Sequence, residues 1–181
     1  MNEGRLYYVM GPSGVGKDSV LGWVRAHGVS HDVLCAHRYI TRPADAGGEN
    51  HVALSEAEFV ARACRGLFAL TWQAHGLHYG IGREIEHWLE RGAKVLVNGS
   101  RDAYPRACDR FPALQAVVIT ASSETIASRL AARGRESEAD IAERVARRDA
   151  YQAPAGALVI HNDGSLTDAG DTLLKAITQP R

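Results

Sequence analysis

Seven residues constrain this chain more than any others: Gly11-Pro12-Ser13-Gly14-Val15-Gly16-Lys17, set between an apolar run and a segment with helical composition. The run, Leu6-Tyr7-Tyr8-Val9-Met10, is aromatic and β-branched and stops at Gly11, so it reads as a buried strand rather than one half exposed to water. Lys17 to His27 can then be a helix. A G-x-x-x-x-G-K pattern between a strand and a helix is the context in which that pattern becomes a phosphate loop. Its glycines let successive N–H groups turn inward toward phosphate oxygens, the helix presents its positive end, and Lys17 adds a mobile full charge. The expected anion contacts are therefore Gly11, Pro12, Ser13, Gly14, Val15, Gly16 and Lys17, continuing into Asp18 and Ser19. Position 18, where a hydroxyl would normally meet Mg²⁺, is an aspartate. A carboxylate among phosphates is repelled unless a cation lies between them, so Asp18 is expected to hold Mg²⁺ directly or through water, with Ser19 as the alternative ligand.

Downstream, Val33 to Ile40 has the composition of a second strand, and Lys94 to Asn98, Gln115 to Ala121 and Ala157 to His161 are further buried-looking runs separated by candidate helices. Strands alternating with helices imply an α/β fold whose parallel sheet, of about five strands, is covered on both faces. Ser55-x-x-Glu58 and Ser137-x-x-Asp140 have the spacing of helix starts. Ile85, Trp88 and Leu89 share a face, as do Ile126 and Leu130, Ile141 and Val145, and Leu166, Leu173 and Ile177; these stripes are read as core.

With 181 residues and 45% hydrophobic side chains, one compact domain is expected. Lys plus Arg balances Asp plus Glu at 21 each, so no overall field draws the chain to nucleic acid or an anionic membrane, and any anion site must be local. Cys35, Cys64 and Cys108 are odd in number and widely spaced, which fits a reducing cytoplasm better than a disulfide framework or a zinc site. No apolar run approaches a membrane span, and the phosphate loop follows Met1 too closely for a signal peptide, so a soluble, cytoplasmic protein is expected.

Three more blocks follow the loop in order: Arg38-Tyr39-Ile40-Thr41-Arg42-Pro43, then Gly48-Glu49-Asn50-His51, then His75-Gly76-Leu77-His78-Tyr79-Gly80. With these the chain resembles, over nearly its whole length, the guanylate kinase superfamily of P-loop NTPases, which are nucleoside monophosphate kinase-like in fold. It resembles more closely the ribose 1,5-bisphosphate phosphokinase branch. The resemblance implies MgATP-dependent phosphorylation of ribose 1,5-bisphosphate to phosphoribosyl diphosphate in phosphonate breakdown, with a sugar phosphate as partner and ATP and Mg²⁺ as cofactors. It implies a core of residues 1–37, 92–128 and 152–181, an acceptor-binding region 38–91 and a lid 129–151. Arg42 and Tyr79 match places that grip the acceptor's phosphate. Asp45 and His51 stand where guanylate kinases have a second arginine and an earlier tyrosine. Their guanine readers align with Leu70 and Ile81, which cannot hydrogen-bond a base, and a carboxylate-bearing strand end is replaced by Asn98-Gly99-Ser100.

Arg129 to Arg148 carries six arginines on two expected helices joined at Gly134. In the resembled superfamily such arginines close over the nucleotide and neutralise the transferring phosphoryl group. The expected charge stabilisers are Lys17, Arg42, Arg133 and Arg144. Arg129, Arg133 and Asn162 are expected near ATP, and Arg42, His51, Tyr79, Arg83, Arg135 and Arg144 near the acceptor. The alternatives are a guanylate or other nucleoside monophosphate kinase, and a non-catalytic guanylate kinase-like interaction module.

Overall fold

The computed structural model describes residues 4–12, 14–134, 137–149 and 151–179. In it the apolar run becomes strand β1 (Arg5–Met10) and the segment after the loop helix α1 (Lys17–His27). Then come β2 (Val33–Cys35), β3 (Arg38–Ile40), β4 (Val52–Ala53), α2 (Glu56–Cys64), β5 (Phe68–Ala74), β6 (Leu77–Gly82) and α3 (Glu84–Glu90). The chain continues through β7 (Lys94–Asn98), α4 (Tyr104–Arg110), β8 (Gln115–Thr120), α5 (Ser123–Arg133), α6 (Glu138–Asp149), β9 (Leu158–His161) and α7 (Leu166–Thr178).

Strands β2, β7, β1, β8 and β9, in that spatial order, form the expected five-stranded sheet, every neighbouring pair parallel. The alternation of β1 shows why it carries no polar face. Tyr7 and Val9 point into a core shared with Val20 and Val24 of α1, Ile126 and Leu130 of α5, and Leu173 and Ile177 of α7. Leu6, Tyr8 and Met10 point the other way, into a core with Ile85 of α3 and Ala107 of α4. A strand buried on both faces must read as a continuous apolar run.

Val33 to Ile40 is not one strand. Ala36 N–H makes a last bond to the Leu96 carbonyl (2.9 Å), after which the chain leaves the parallel sheet, and Arg38–Ile40 joins a second sheet ordered β4-β3-β6-β5. There β3 runs antiparallel to β6 and β6 antiparallel to β5. The β5–β6 hairpin closes through His75 and Gly76, whose φ of 51° and 74° both lie in the left-handed region, as a two-residue turn of that hand requires. Ile40, Leu70, Trp72, Tyr79 and Ile81 pack this sheet into the same core as α3 and α4.

Both expected helix starts are found. Ser55 Oγ accepts from Glu58 N–H (3.1 Å), while the Glu58 carboxylate turns to Arg62 (2.7 Å) instead of back to the cap. Ser137 and Asp140 satisfy each other in both directions. One stripe is shorter than expected: Leu166, the first residue of α7, is 41% exposed, and the buried face begins at Ala169. Among the described residues no helix is long and apolar enough to cross a membrane.

Helices α1 and α7 pack with Trp23 against Gly170, where an added Cβ would come within 2.3 Å of the indole ring. Gly170→Ala should therefore lower stability by about 1–3 kcal/mol in urea unfolding, through overpacking. Wild-type stability in that variant would mean that the indole does not rest on the α7 backbone.

Candidate active site

The phosphate loop leaves β1 at the carboxyl end of the sheet's central strand and runs into α1. Turning amides outward leaves carbonyls pointing inward, and the Val15 carbonyl meets two donors there. Asn162 Nδ2 donates to it at 2.8 Å and Arg129 Nη1 at 3.3 Å. Asn162 is only 3% exposed, and its own N–H is tied to the Thr120 carbonyl at 2.8 Å, which levels the ends of β8 and β9 beneath the loop. Gly16 has φ +80°, and a Cβ there would lie 2.6 Å from the Asn162 amide nitrogen, so the close approach admits only glycine. Lys17 opens α1 half-buried. Burial, and after it the positive charge of Arg38, lowers its pKa, while Asp18 and Glu49 pull it partly back.

Asn98, the last residue of β7, is 6% exposed and donates from Nδ2 to Asp18 Oδ1 (3.0 Å) and Glu49 Oε2 (3.3 Å). A neutral amide between two carboxylates joins the loop helix to the segment after β3. Glu49 in turn accepts from Arg38 Nε (2.8 Å) and Nη2 (2.5 Å), a bidentate pair, and lies 3.7 Å from Arg42 Nη2. Arg42 also donates to the Gly47 carbonyl (3.2 Å). His51 brackets it, with Nε2 3.1 Å from the Arg42 carbonyl oxygen and Nδ1 3.3 Å from Arg42 Nη2. The Arg38 guanidinium carbon lies 5.1 Å from the Tyr79 ring centre, and Tyr79 stacks nearly parallel on Trp72 at 5.4 Å.

Between these groups lies a cleft of about 840 Å³. Gly11, Pro12, Gly14, Val15, Gly16, Lys17, Asp18 and Ser19 line one side, Arg38, Arg42, Trp72 and Tyr79 the second, and Gly99, Ser100, Arg101 and Tyr151 the third. The loop residues, Arg42 and Tyr79 are thus brought together as expected. Other expected site residues are placed elsewhere. His51 holds Arg42 rather than facing the cleft. Arg83 sits at the exposed start of α3, bonded to Glu86 (2.8 Å), because the turn out of β6 directs it to the surface. Arg129 and Asn162 reach the underside of the loop. Arg144 is half-buried on α6 and is not among the described residues lining the cleft. Ser13, Arg135 and the side chain of Arg133 lie outside the described residues.

Leu70 and Ile81 do not face an acceptor either. They pair across β5 and β6, 7% and 0% exposed, inside the core. The cleft wall is made instead by their neighbours Trp72 and Tyr79. Sequence reasoning missed Arg38, Trp72, His75, Arg101 and Tyr151, all of which line the cleft. The even spacing of Arg38 and Arg42 along an extended segment was the available signal for the first. Arg101 follows a strand whose place beside β1 depends on strand order, which is not local.

Asn98→Asp tests the amide bridge. The carboxyl introduced at 98 would face Asp18 and Glu49, so the folded protein would bind its proton more tightly than the unfolded chain does. The unfolded state then carries fewer protons, and stability falls as pH rises. The deficit against wild type should be small near pH 4 and grow to about 1–3 kcal/mol by pH 7, read from denaturant midpoints. A deficit independent of pH would remove the bridge.

No protein-family model matches the chain. A ribose 1,5-bisphosphate phosphokinase PhnN of Chromobacterium violaceum is 56% identical over 172 residues, 95% of this chain and 92% of the relative. That of Thiobacillus denitrificans is 52% identical over 180 residues, 98% of this chain and 95% of the relative. A protein of the same name from Laribacter hongkongensis is 56% identical over 171 residues, 94% of this chain, which spans only 42% of that longer relative. Among solved structures, guanylate kinase from Anaplasma phagocytophilum superposes with a TM-score of 0.69 at 18% identity, covering 99% of this chain and 88% of that one. A gluconokinase from Sinorhizobium meliloti 1021 gives 0.51 at 17% identity, covering 98% and 93%. The two structures share the P-loop kinase fold with this chain. Identity of about half, sustained across two relatives from end to end, goes further: this chain belongs to the ribose 1,5-bisphosphate phosphokinase family.

Proposed function

We propose that the protein transfers the γ-phosphoryl group of ATP to the 1-phosphate of ribose 1,5-bisphosphate, giving 5-phospho-α-D-ribose 1-diphosphate and ADP, as a cytoplasmic step of phosphonate breakdown. The observation that carries the reading is the composition of the cleft. A phosphate loop faces the Arg42 and Tyr79 wall, and among the described lining residues the one carboxylate, Asp18, sits on the loop side. With Glu49 engaged by Arg38 and outside the lining, a guanine edge would find no carboxylate among the described residues that line the acceptor side, whereas a phosphorylated sugar needs none.

An oxygen of the 1-phosphate attacks the γ-phosphorus, the bond to the β–γ bridging oxygen breaks, and ADP leaves with that electron pair. The attacking oxygen is already ionised at neutral pH, so no general base is needed and the work is positioning and charge neutralisation. Lys17 supplies a mobile cation beside the β and γ phosphates, and Arg42 holds the acceptor's phosphate. Glu49 and His51 fix where Arg42 points. In this reading residues 129–151 act as a lid whose Arg133 and Arg144 close over the phosphates, residues 38–91 carry the acceptor, and the remainder is the core.

Mg²⁺ fits the residues present. Among the described residues there is no cluster of three or more His, Cys, Asp or Glu that could hold a metal, yet Mg²⁺ sites on nucleotides use one or two protein oxygens with phosphates and water for the rest. Asp18 and Ser19 both line the cleft, and Asn98 occupies only Oδ1 of Asp18. The ion would supply charge neutralisation between the carboxylate and the phosphates.

An acceptor screen with radiolabelled ATP should label ribose 1,5-bisphosphate in preference to GMP, AMP and gluconate. Label found only on a nucleotide would overturn the assignment. Lys17→Met should lower turnover by about 100-fold or more. It should also abolish the stabilisation by ATP, about 2.7 kcal/mol at a hundred times Kd in the wild type. Asp18→Asn should raise the Mg²⁺ concentration needed for half-maximal rate; an unchanged Mg²⁺ dependence would leave Ser19 as the protein ligand.

A further inference from the structure

A bisphosphate brings two phosphates, and the wall of Arg42 and Tyr79 accounts for one. The remaining guanidinium groups of the cleft differ in how they are occupied. Arg38 spends Nε and Nη2 on Glu49. Arg101, among the described residues, forms no ion pair at all, although it lines the same cleft. Its described contact is with a ring: the guanidinium carbon lies 5.2 Å from the centre of Tyr151. The Tyr151 hydroxyl is itself buried and has no hydrogen-bond partner among the described residues. The exposed guanidinium, free of carboxylates among the described residues, stacks against a phenol whose buried O–H has no acceptor among them, so the pair offers its donors to an anion in the cleft.

The backbone beneath Arg101 is held firmly. Asn98 pairs with Val9 in the β1–β7 ladder, and Gly99 N–H donates to the Val9 carbonyl at 2.9 Å, so Gly99-Ser100-Arg101 leaves the sheet beside the start of the phosphate loop. Tyr8 Oη donates to the Ser100 carbonyl (2.9 Å), and Ser100 Oγ accepts from Ala103 N–H (3.1 Å), fixing the turn. The carboxyl ends of parallel strands are where α/β sheets bind ligands.

We propose that Arg101 and Tyr151 form a second phosphate subsite, which holds the 5-phosphate of the sugar while the 1-phosphate lies with Arg42 and Tyr79. The proposal rests on the sugar bisphosphate reading above and makes the site selective for doubly phosphorylated pentoses. The guanidinium binds two phosphate oxygens as a fork, and the phenol donates its proton to a third.

The test measures binding of D-ribose 5-phosphate, which carries this phosphate and no 1-phosphate, by calorimetry, beside steady-state kinetics with ribose 1,5-bisphosphate and ATP. Arg101→Gln should weaken ribose 5-phosphate binding and raise KM for the bisphosphate by about tenfold or more, with KM for ATP changed less than twofold. Tyr151→Phe removes only the hydroxyl. It should raise the same KM by about threefold while leaving the melting temperature equal or higher, because an unpaired buried donor has gone. That combination separates a ligand contact from a structural one. Unchanged ribose 5-phosphate binding in Arg101→Gln, or an equal loss of ATP binding, would overturn the subsite. If the wild type failed to turn over ribose 1,5-bisphosphate but bound ribose 5-phosphate through Arg101, the subsite would stand and the acceptor assignment would fall.

Discussion

A loop that turns its amides toward a ligand must turn carbonyls toward the protein, and the rest of this structure is arranged around satisfying one of them. The Val15 carbonyl takes Asn162 from the exit of β9 and Arg129 from α5, two elements more than a hundred residues away in the chain. Asn162 reaches it only because β8 and β9 lie parallel beside β1 with their carboxyl ends level. The arrangement leaves Asn162 Oδ1 buried without a partner among the described residues, a cost of about 1–3 kcal/mol. A cost of that kind is retained where the geometry it secures matters more than local stability.

How much of this was legible in the sequence follows from how local each signal is. The phosphate loop and the limits of α1 lie within seventeen consecutive residues that fold against their own neighbours, and the structure gives them as read. Of the other parallel strands, β7 and β8 are buried on both faces and announce themselves as apolar runs, whereas the edge strand β9 reads as an equally apolar run although Val159 is 44% exposed. The second sheet does not. Residues 33 to 40 look like one strand because composition cannot say that Leu34 pairs with Val95 while Tyr39 pairs with Gly80. The site divides in the same way: Lys17, Arg42 and Tyr79 stand in ordered motifs, Arg38 shares the block of Arg42 but is tied to Glu49 by the fold, and Arg101 reaches the cleft only through the place of β7 beside β1.

The same distinction explains the residues that moved away from their expected roles. Asn162, Arg129 and His51 all lie close to the cleft, and each is used to hold a group that faces it. Alignment of a position with a binding motif reports nearness to the site, but whether a side chain faces the ligand or the loop's underside depends on which backbone groups are left unsatisfied. Here Val15 and Arg42 each presented a carbonyl that needed a donor or a polar neighbour.

Charge decides what the cleft can hold together. Lys17, Arg38 and Arg42 converge on it, and their mutual repulsion is relieved by Glu49, which takes Arg38 in a bidentate pair and lies beside Arg42. Asp18 and Glu49 would in turn repel each other, and the Asn98 amide separates them by donating to both. Arg101 meets no carboxylate among the described residues, and burial, with Arg38 after it, holds the pKa of Lys17 down. A group whose charged form is disfavoured by burial gains when negative charge arrives beside it. A polyphosphate laid along the loop would favour the charged ammonium of Lys17 and so offset part of that burial.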